Sequence, residues 1–155
     1  MNTTQVRHAT PEDFPRIMEM GHAMHKESPR FQKFSFDDEK CRKLFDELVN
    51  QGGVFLAVLG EEIVGMFVGM IHEHYFSSEL TASDLALYVV PEHRGGSAAV
   101  RLIKAFEGWA FAHEARCMTL SSNTKVDTEK AMALFGKMGY EYCGGVTYKE
   151  NPDVS

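Results

Sequence analysis

Cysteine is scarce in this chain, and no apolar run is long. The cysteines Cys41, Cys117 and Cys143 are odd in number and widely spaced, with no Cys-x-x-Cys pair. Neither a disulfide framework nor a zinc site is indicated, and all three are expected to be reduced and packed as small apolar side chains. The longest apolar run, Ile63 to Ile71, is too short to cross a bilayer, and the opening MNTTQVRHAT lacks the apolar core of a secretion signal. An intracellular, cytoplasmic protein without a membrane partner is the expectation. Positive charge is short as well, with 16 Lys and Arg against 22 Asp and Glu and a net charge of -6. That balance disfavours nucleic acid and suits a cationic small molecule or a basic protein tail. Repeats, low-complexity segments and Pro/Gly/Ser-rich linkers are missing, so 155 residues with 44% hydrophobic content read as one domain spanning 1–155.

What is present is an alternation of strands and helices. Gln5 to His8 reads as a short strand, followed by Thr10 as an N-cap and Pro11 in the first turn of a helix. Phe14, Ile17, Met18, Gly21 and Met24 share one face of that helix. Ser35-x-x-Asp38 reads as a second cap, ahead of Cys41, Leu44, Phe45, Leu48 and Val49 at helical spacing. Gly52-Gly53 ends this helix. A hairpin follows, Val54 to Leu59 and Ile63 to about Tyr75 joined across Gly60-Glu61-Glu62. After a loop from Phe76 to Ala82, Asp84 to Val90 reads as a buried strand ended by Pro91. The next helix carries Ala99, Leu102, Ile103, Phe106 and Ala110 inward. Cys117 to Ser121 is a strand, and Asp127 or Thr128 caps a helix with Ala131, Leu134, Phe135 and Met138 inside. Tyr140 to Tyr142 and Val146 to Tyr148 are expected as a last pair of short strands around Gly144-Gly145. The fold class is mixed α/β, a sheet with helices packed on it.

The segment Tyr88 to Val100, YVVPEHRGGSAAV, carries the most chemistry. An apolar strand stops at Pro91 and passes through Arg94-Gly95-Gly96-Ser97 into a helix. Glycines let backbone N–H groups approach an anion, the helix start adds unpaired N–H groups and a positive dipole end, and Arg94 adds a planar cation. These residues alone also fit a plain strand-to-helix turn with a surface arginine.

The element order, with PEHRGGSAA at its centre and AMALFGKMGYE near its end, resembles the GNAT superfamily of N-acetyltransferases from Val6 to Tyr148. The family's central motif is Arg or Gln, two residues, Gly, one residue, then Gly or Ala. Arg94 to Ala99 matches it except for Ser97 in place of the first required glycine. Ala131-x-x-Leu134-Phe135-x-Lys137-x-Gly139-Tyr140 resembles the second motif. The resemblance implies a GNAT-like fold, a mostly antiparallel mixed sheet of about six or seven strands with about four helices. It also implies an acyltransferase moving an acetyl group from acetyl-CoA to a primary amine of a small molecule or protein. The alternative is a weak or inactive acyl-CoA-binding member acting as a ligand-binding or protein-interaction module.

By the same resemblance the pyrophosphate sits on Arg94, Gly95, Gly96, Ser97, Ala98 and Ala99, and the pantetheine arm pairs with the strand at Val89 and Val90. Asn123, Thr128 and Phe135 complete the expected cofactor contacts. Acyl transfer to an amine needs a base, because a free alkyl ammonium has a pKa of about 10. Asp84, ten positions before Arg94, is the candidate, and strand alternation puts it on one face with Ala86, Tyr88 and Val90. It also fits a plain strand-start cap on the preceding loop. Glu73 is the reserve base. Phe135 stands where the family has its acid, a tyrosine, so the thiolate leaves unaided or Tyr140, Tyr88 or Tyr142 substitutes. An acceptor pocket is expected among Phe31, Phe34, Phe36, Tyr75 and Phe76 with Glu73, Glu79 and Asp84. The same aromatics suit loop anchors or the contact of a homodimer. His72 with His74, and His22 with His25, share faces, but no accompanying ligands support a metal, and none is expected.

Overall fold

The hairpin expected from the apolar runs forms the middle of the sheet in the computed structural model, which describes residues 3–155. The strands are β1 (Gln5–His8), β2 (Val54–Leu59), β3 (Glu62–Glu73), β4 (Leu80–Val89) and β5 (Cys117–Thr119). The helices are α1 (Phe14–Glu27), α2 (Asp38–Gln51), α3 (Ala98–Ala112) and α4 (Thr128–Lys137). Neighbouring strands follow sequence order from β1 to β5. All pairings are antiparallel except β4 with β5, which run parallel because α3 carries the chain back along the sheet.

Alternation along β3 assigns the two faces. Phe67 stacks on Phe106 of α3 at 4.4 Å, and Gly65 and Gly69 leave room for α3 on the same face. Val64, Met66 and Val68 point the other way and are fully buried, beneath α1 and α2. The start of α1 is anchored by Asp13, whose carboxylate takes two bonds from Arg7 at 2.8 and 2.9 Å and one from the Thr10 N–H at 2.8 Å. The Arg7 guanidinium, aided by that N–H, holds the Asp13 carboxyl down at about 2.

Several sequence expectations need correction. The cap of α2 is Asp37, whose side chain accepts the Lys40 N–H at 3.0 Å, so Ser35 is two residues too early. β4 begins at Leu80: Thr81 and Ser83 look like loop residues by polarity, yet both pair across the ladder. The sheet has five strands among the described residues because Tyr140–Tyr148 forms none. Three-residue segments flanking two glycines cannot bury a face against the short β5, and residues 141–148 lie exposed. Cys41 is half-buried, while Cys117 and Cys143 are exposed rather than packed. Met20 replaces Met18 and Met24 in the deepest core, and Leu44 is exposed.

Gly69 tests this packing. A Cβ there would lie 2.5 Å from the Phe106 ring and 2.9 Å from Phe67. Gly69→Ala is expected to lower stability by about 2 kcal/mol, roughly 4–8 °C in Tm. Gly108→Ala on exposed α3 surface, where a Cβ meets nothing within 4 Å, is expected to raise stability by about 1 kcal/mol. Thermal and urea unfolding of both variants checks the contrast.

Candidate active site

Pairing between β4 and β5 is brief. Thr81, Ala82 and Ser83 face Cys117, Met118 and Thr119, and there the ladder ends. From Leu85 to Val89 the far edge of β4 has no strand beside it, and a cleft of about 550 Å³ opens toward α4. Val90 donates its N–H to Val64 at 2.9 Å, so Val90 and Tyr88 pair with β3. Hydrogen-bonded pairs alternate in an antiparallel ladder, so Leu87 and Val89 turn their N–H and C=O groups to the open edge. Val90 is therefore not the expected partner for a ligand arm. Leu87, two residues before Val89, is its counterpart.

At the end of β4 the chain enters the glycine turn. Gly95 has φ +88°, a left-handed conformation that favours glycine. Ser97 has φ -90° and ψ -5°, an ordinary helical conformation, so a serine replaces the family's glycine without strain. Its hydroxyl accepts a bond from Arg101 Nε at 3.2 Å and it does not line the cleft. Ala98 is buried in the core; Gly95, Gly96 and Ala99 line the cleft. The first turn of α3 carries neither an acidic residue nor a capping side chain, which leaves its N–H groups open to an anion.

Arg94 is engaged elsewhere than expected. Its Nε donates to the Val89 carbonyl at 2.7 Å, and its two terminal nitrogens donate to both carboxylate oxygens of Glu27 at 2.9 and 3.0 Å. The guanidinium lies over the Tyr88 ring, 5.3 Å from its centroid. Glu27 begins a segment that the family resemblance assigns to the acceptor pocket, but nothing in the sequence signals its pairing with Arg94, 67 positions away.

Asp84 lines the cleft, but alternation misplaces it. A bulge at Leu85 sets Ala86 opposite Val68 and Asp84 opposite Gly69. Asp84 therefore shares the α3 face, while Ala86 and Tyr88 share the α1 face. Ser121, just past β5, donates its N–H to both Asp84 oxygens at 3.2 and 3.3 Å and its hydroxyl to one at 3.3 Å. Burial pushes the Asp84 carboxyl above its ordinary value, and the Ser121 bonds only partly oppose this.

Other expected residues fall outside the cleft. Glu73 is exposed at the far end of β3, and Thr128 opens α4 without facing the cavity. Tyr140 donates to Glu107 at 3.3 Å and to Met118 Sδ at 3.4 Å, behind the cleft wall. Burial, with Glu107 beside it, pushes its phenol far above the usual range. Neither Glu73 nor Tyr140 lines the cleft. Phe135 and Asn123 line the cleft, together with Lys130 and Ser121, which sequence missed. Of the expected acceptor aromatics only Phe31 reaches it. Tyr75 and Phe76 are 85% and 83% exposed on the β3–β4 loop, Phe34 is exposed, and Phe36 stacks on His22 at 3.9 Å. Glu79 pairs with Arg116 at 3.3 Å.

A sequence model of the Acetyltransferase (GNAT) family matches residues 15–140. The chain belongs to this family. As a GNAT member it is an acyltransferase. An aminoglycoside N-acetyltransferase AAC(6')-Iy solved with CoA superposes with a TM-score of 0.77 at 15% identity, over 98% of this chain and 97% of that one. A soil-metagenome aminoglycoside acetyltransferase, meta-AAC0020 with trehalose, gives 0.71 at 21% identity over 96% and 97%. A transcriptional regulator from Bacillus halodurans gives 0.76 at 15% identity over 96% and 100%. At such identities the likeness is one of fold. No curated protein matches the chain significantly in sequence.

The Asp84 environment predicts a pH signature. A carboxyl whose native pKa is raised favours folding below its unfolded pKa, and that contribution is lost as pH rises through the native value. Asp84→Asn removes the titration. Its stability relative to the parent is expected to rise with pH from about 4 and to level off above the native pKa of Asp84. Urea unfolding across that range measures it, and a flat difference would count against a raised Asp84.

Proposed function

We propose that the protein transfers an acetyl group from acetyl-CoA to a primary amine of a small cationic molecule, both substrates meeting at Val89 and Asp84. The observation that carries this reading is one continuous cleft. Along it lie the open β4 edge, the Gly95 turn and the uncapped start of α3. That donor set suits the ligand: outward N–H groups for an amide-bearing arm, then backbone N–H groups at a helix start for a pyrophosphate. Gly95 and Gly96 keep the cradle clear, since even a Cβ added at either would meet nothing closer than 3.6 Å.

When bound, acetyl-CoA supplies a thioester whose carbonyl carbon can be attacked by an amine and whose thiolate can depart. The protein's part is positioning and proton handling. The Val89 N–H faces the cleft and can stabilise negative charge growing on the carbonyl oxygen. Asp84, raised by burial, is a stronger proton acceptor than an exposed carboxylate and takes the ammonium proton directly or through water. The C–N bond forms as the C–S bond breaks; of the two protons the ammonium group gives up, one ends on Asp84 and the other passes to the departed thiolate or to solvent. Alkyl thiols have a pKa of about 8.5, so the thiolate departs without an acid, and Phe135 in the tyrosine position is compatible with turnover.

A cationic acceptor suits two features. Asp84 lines the cleft with Ser121, not a cation, as its polar partner, and the chain's net charge is -6. The amino-sugar substrates in the names of the aminoglycoside acetyltransferases above make such amines the first acceptors to try.

Incubation with acetyl-CoA and a panel of aminoglycosides, polyamines, amino acids and basic peptides, followed by thiol release and product mass, tests the reading. The expected result is thiol release dependent on one amine class. Asp84→Asn is expected to lower kcat about 100-fold while keeping the rise in Tm that CoA produces. The absence of any such rise at millimolar CoA would overturn the proposal.

A further inference from the structure

The family motif suggests a phosphate-binding role for Arg94, and its surroundings suggest a different one. Three of its five N–H groups are committed, one to the Val89 carbonyl and two to Glu27, and one face of the guanidinium is covered by Tyr88. The Glu27 pair is a planar fork on a carboxylate, the geometry that arginine holds best and lysine cannot reproduce. Arg94 lines the cleft with two N–H groups uncommitted, but turning the fork itself onto a phosphate would leave the Glu27 carboxylate without its cation.

Glu27 is the last residue of α1, and it and Phe31 line the cleft. Ser28 is fully buried; its hydroxyl donates to the Thr124 carbonyl at 2.6 Å and accepts the Phe31 N–H at 3.1 Å. Arg30 donates to the Asn123 carbonyl at 3.0 Å and lies over the Tyr148 ring at 5.2 Å. The segment from Glu27 to Phe31 is thus a strap fixed at two ends. Ser28 and Arg30 tie it to the loop between β5 and α4, and Arg94 ties it to the end of β4.

We propose that Arg94 is a positioning residue: it joins this strap to the Val89 backbone, so that the acceptor wall and the acyl-binding edge hold one geometry, and the pyrophosphate is bound without its side chain. This rests on the acetyl-CoA reading above. The pyrophosphate is then left to the backbone from Gly95 to Ala99. Arg94 and Glu27 act as a unit, and loss of either frees both the strap and the Val89 carbonyl.

CoA and pantetheine separate the two roles, since pantetheine has the arm without the pyrophosphate. Calorimetry with both ligands is run on the parent protein, Arg94→Ala, Arg94→Lys, Glu27→Gln and the Arg94→Ala/Glu27→Gln double variant. Each single variant is expected to weaken both ligands by the same factor, so that the CoA-to-pantetheine ratio is unchanged. Lysine gives no rescue, and the double variant is no worse than Arg94→Ala. With an accepted amine, kcat falls about 10- to 100-fold and KM for acetyl-CoA rises by no more than the factor lost for pantetheine. A loss confined to CoA and restored by Arg94→Lys would overturn the proposal and make Arg94 a phosphate ligand. Amide hydrogen exchange on the ligand-free proteins supplies a readout that does not depend on the acetyl-CoA reading. Faster exchange in residues 28–31 and 87–90 of Arg94→Ala, with the core unchanged, supports the strap; unaltered exchange there overturns it. If the parent bound neither ligand, the acetyl-CoA reading would fall and the exchange result alone would decide the role of Arg94.

Discussion

The cleft exists because β4 and β5 part after Ser83 and Thr119. Had the parallel ladder continued, the outward amides of Leu87 and Val89 would be spent on β5. Instead they face a cleft with no strand to satisfy them, although buried backbone groups are nearly always paired. The fold answers one of these four N–H and C=O groups internally, through Arg94 on the Val89 carbonyl. The remaining N–H groups are complementary to an extended ligand arm, so that ligand binding and backbone satisfaction are the same event.

The bulge at Leu85 has a second consequence. A strand that kept its period would turn Asp84 to the face of Ala86 and Tyr88, away from Ser121. The extra residue moves Asp84 to the α3 face, where Ser121 is its polar partner and burial decides its titration. The two carboxylates of the cleft are thus held on opposite sides of β4. Glu27 is neutralised by arginine, whereas Asp84 is left to accept a proton. One inserted residue separates a carboxylate paired with arginine from one that burial holds above its ordinary pKa.

How much of this could be read from sequence depended on range. The order of elements through α4 was legible because apolar periodicity and caps are local, and the Arg94 to Ala99 turn was legible because left-handed backbone at Gly95 favours one residue type. The bulge was not legible: Asp84-Leu85-Ala86 carries no mark that a residue is extra, and the mark lies in the pairing with Val68 and Gly69. Nor was the strap, since Glu27 to Arg94 and Ser28 to Thr124 join residues 67 and 96 positions apart. Tyr140 misled because a tyrosine near the motif suggests an acid, while its hydroxyl is committed to Glu107. The closing pair of strands failed because alternation in Tyr140 to Tyr148 outlines a strand but does not supply an edge long enough to hold one.

Charge completes the account of Arg94. A chain of net charge -6 repels a polyanion at a distance, and its most prominent cation in the motif is cancelled by Glu27. What remains to attract a pyrophosphate is local: the N–H groups of the Gly95 turn, the positive end of α3, and Lys130 on the facing wall of the cleft. Backbone donors are fixed in direction and need no side-chain ordering on binding, so they can hold the anion without demanding a net positive surface. The acidic balance is then free to favour the other substrate, and the same cleft can take an anionic cofactor at its helix end and a cationic amine at the strap. Arg94 sits between these ends, and its bond to Glu27 keeps the acidic wall from reaching the phosphate side.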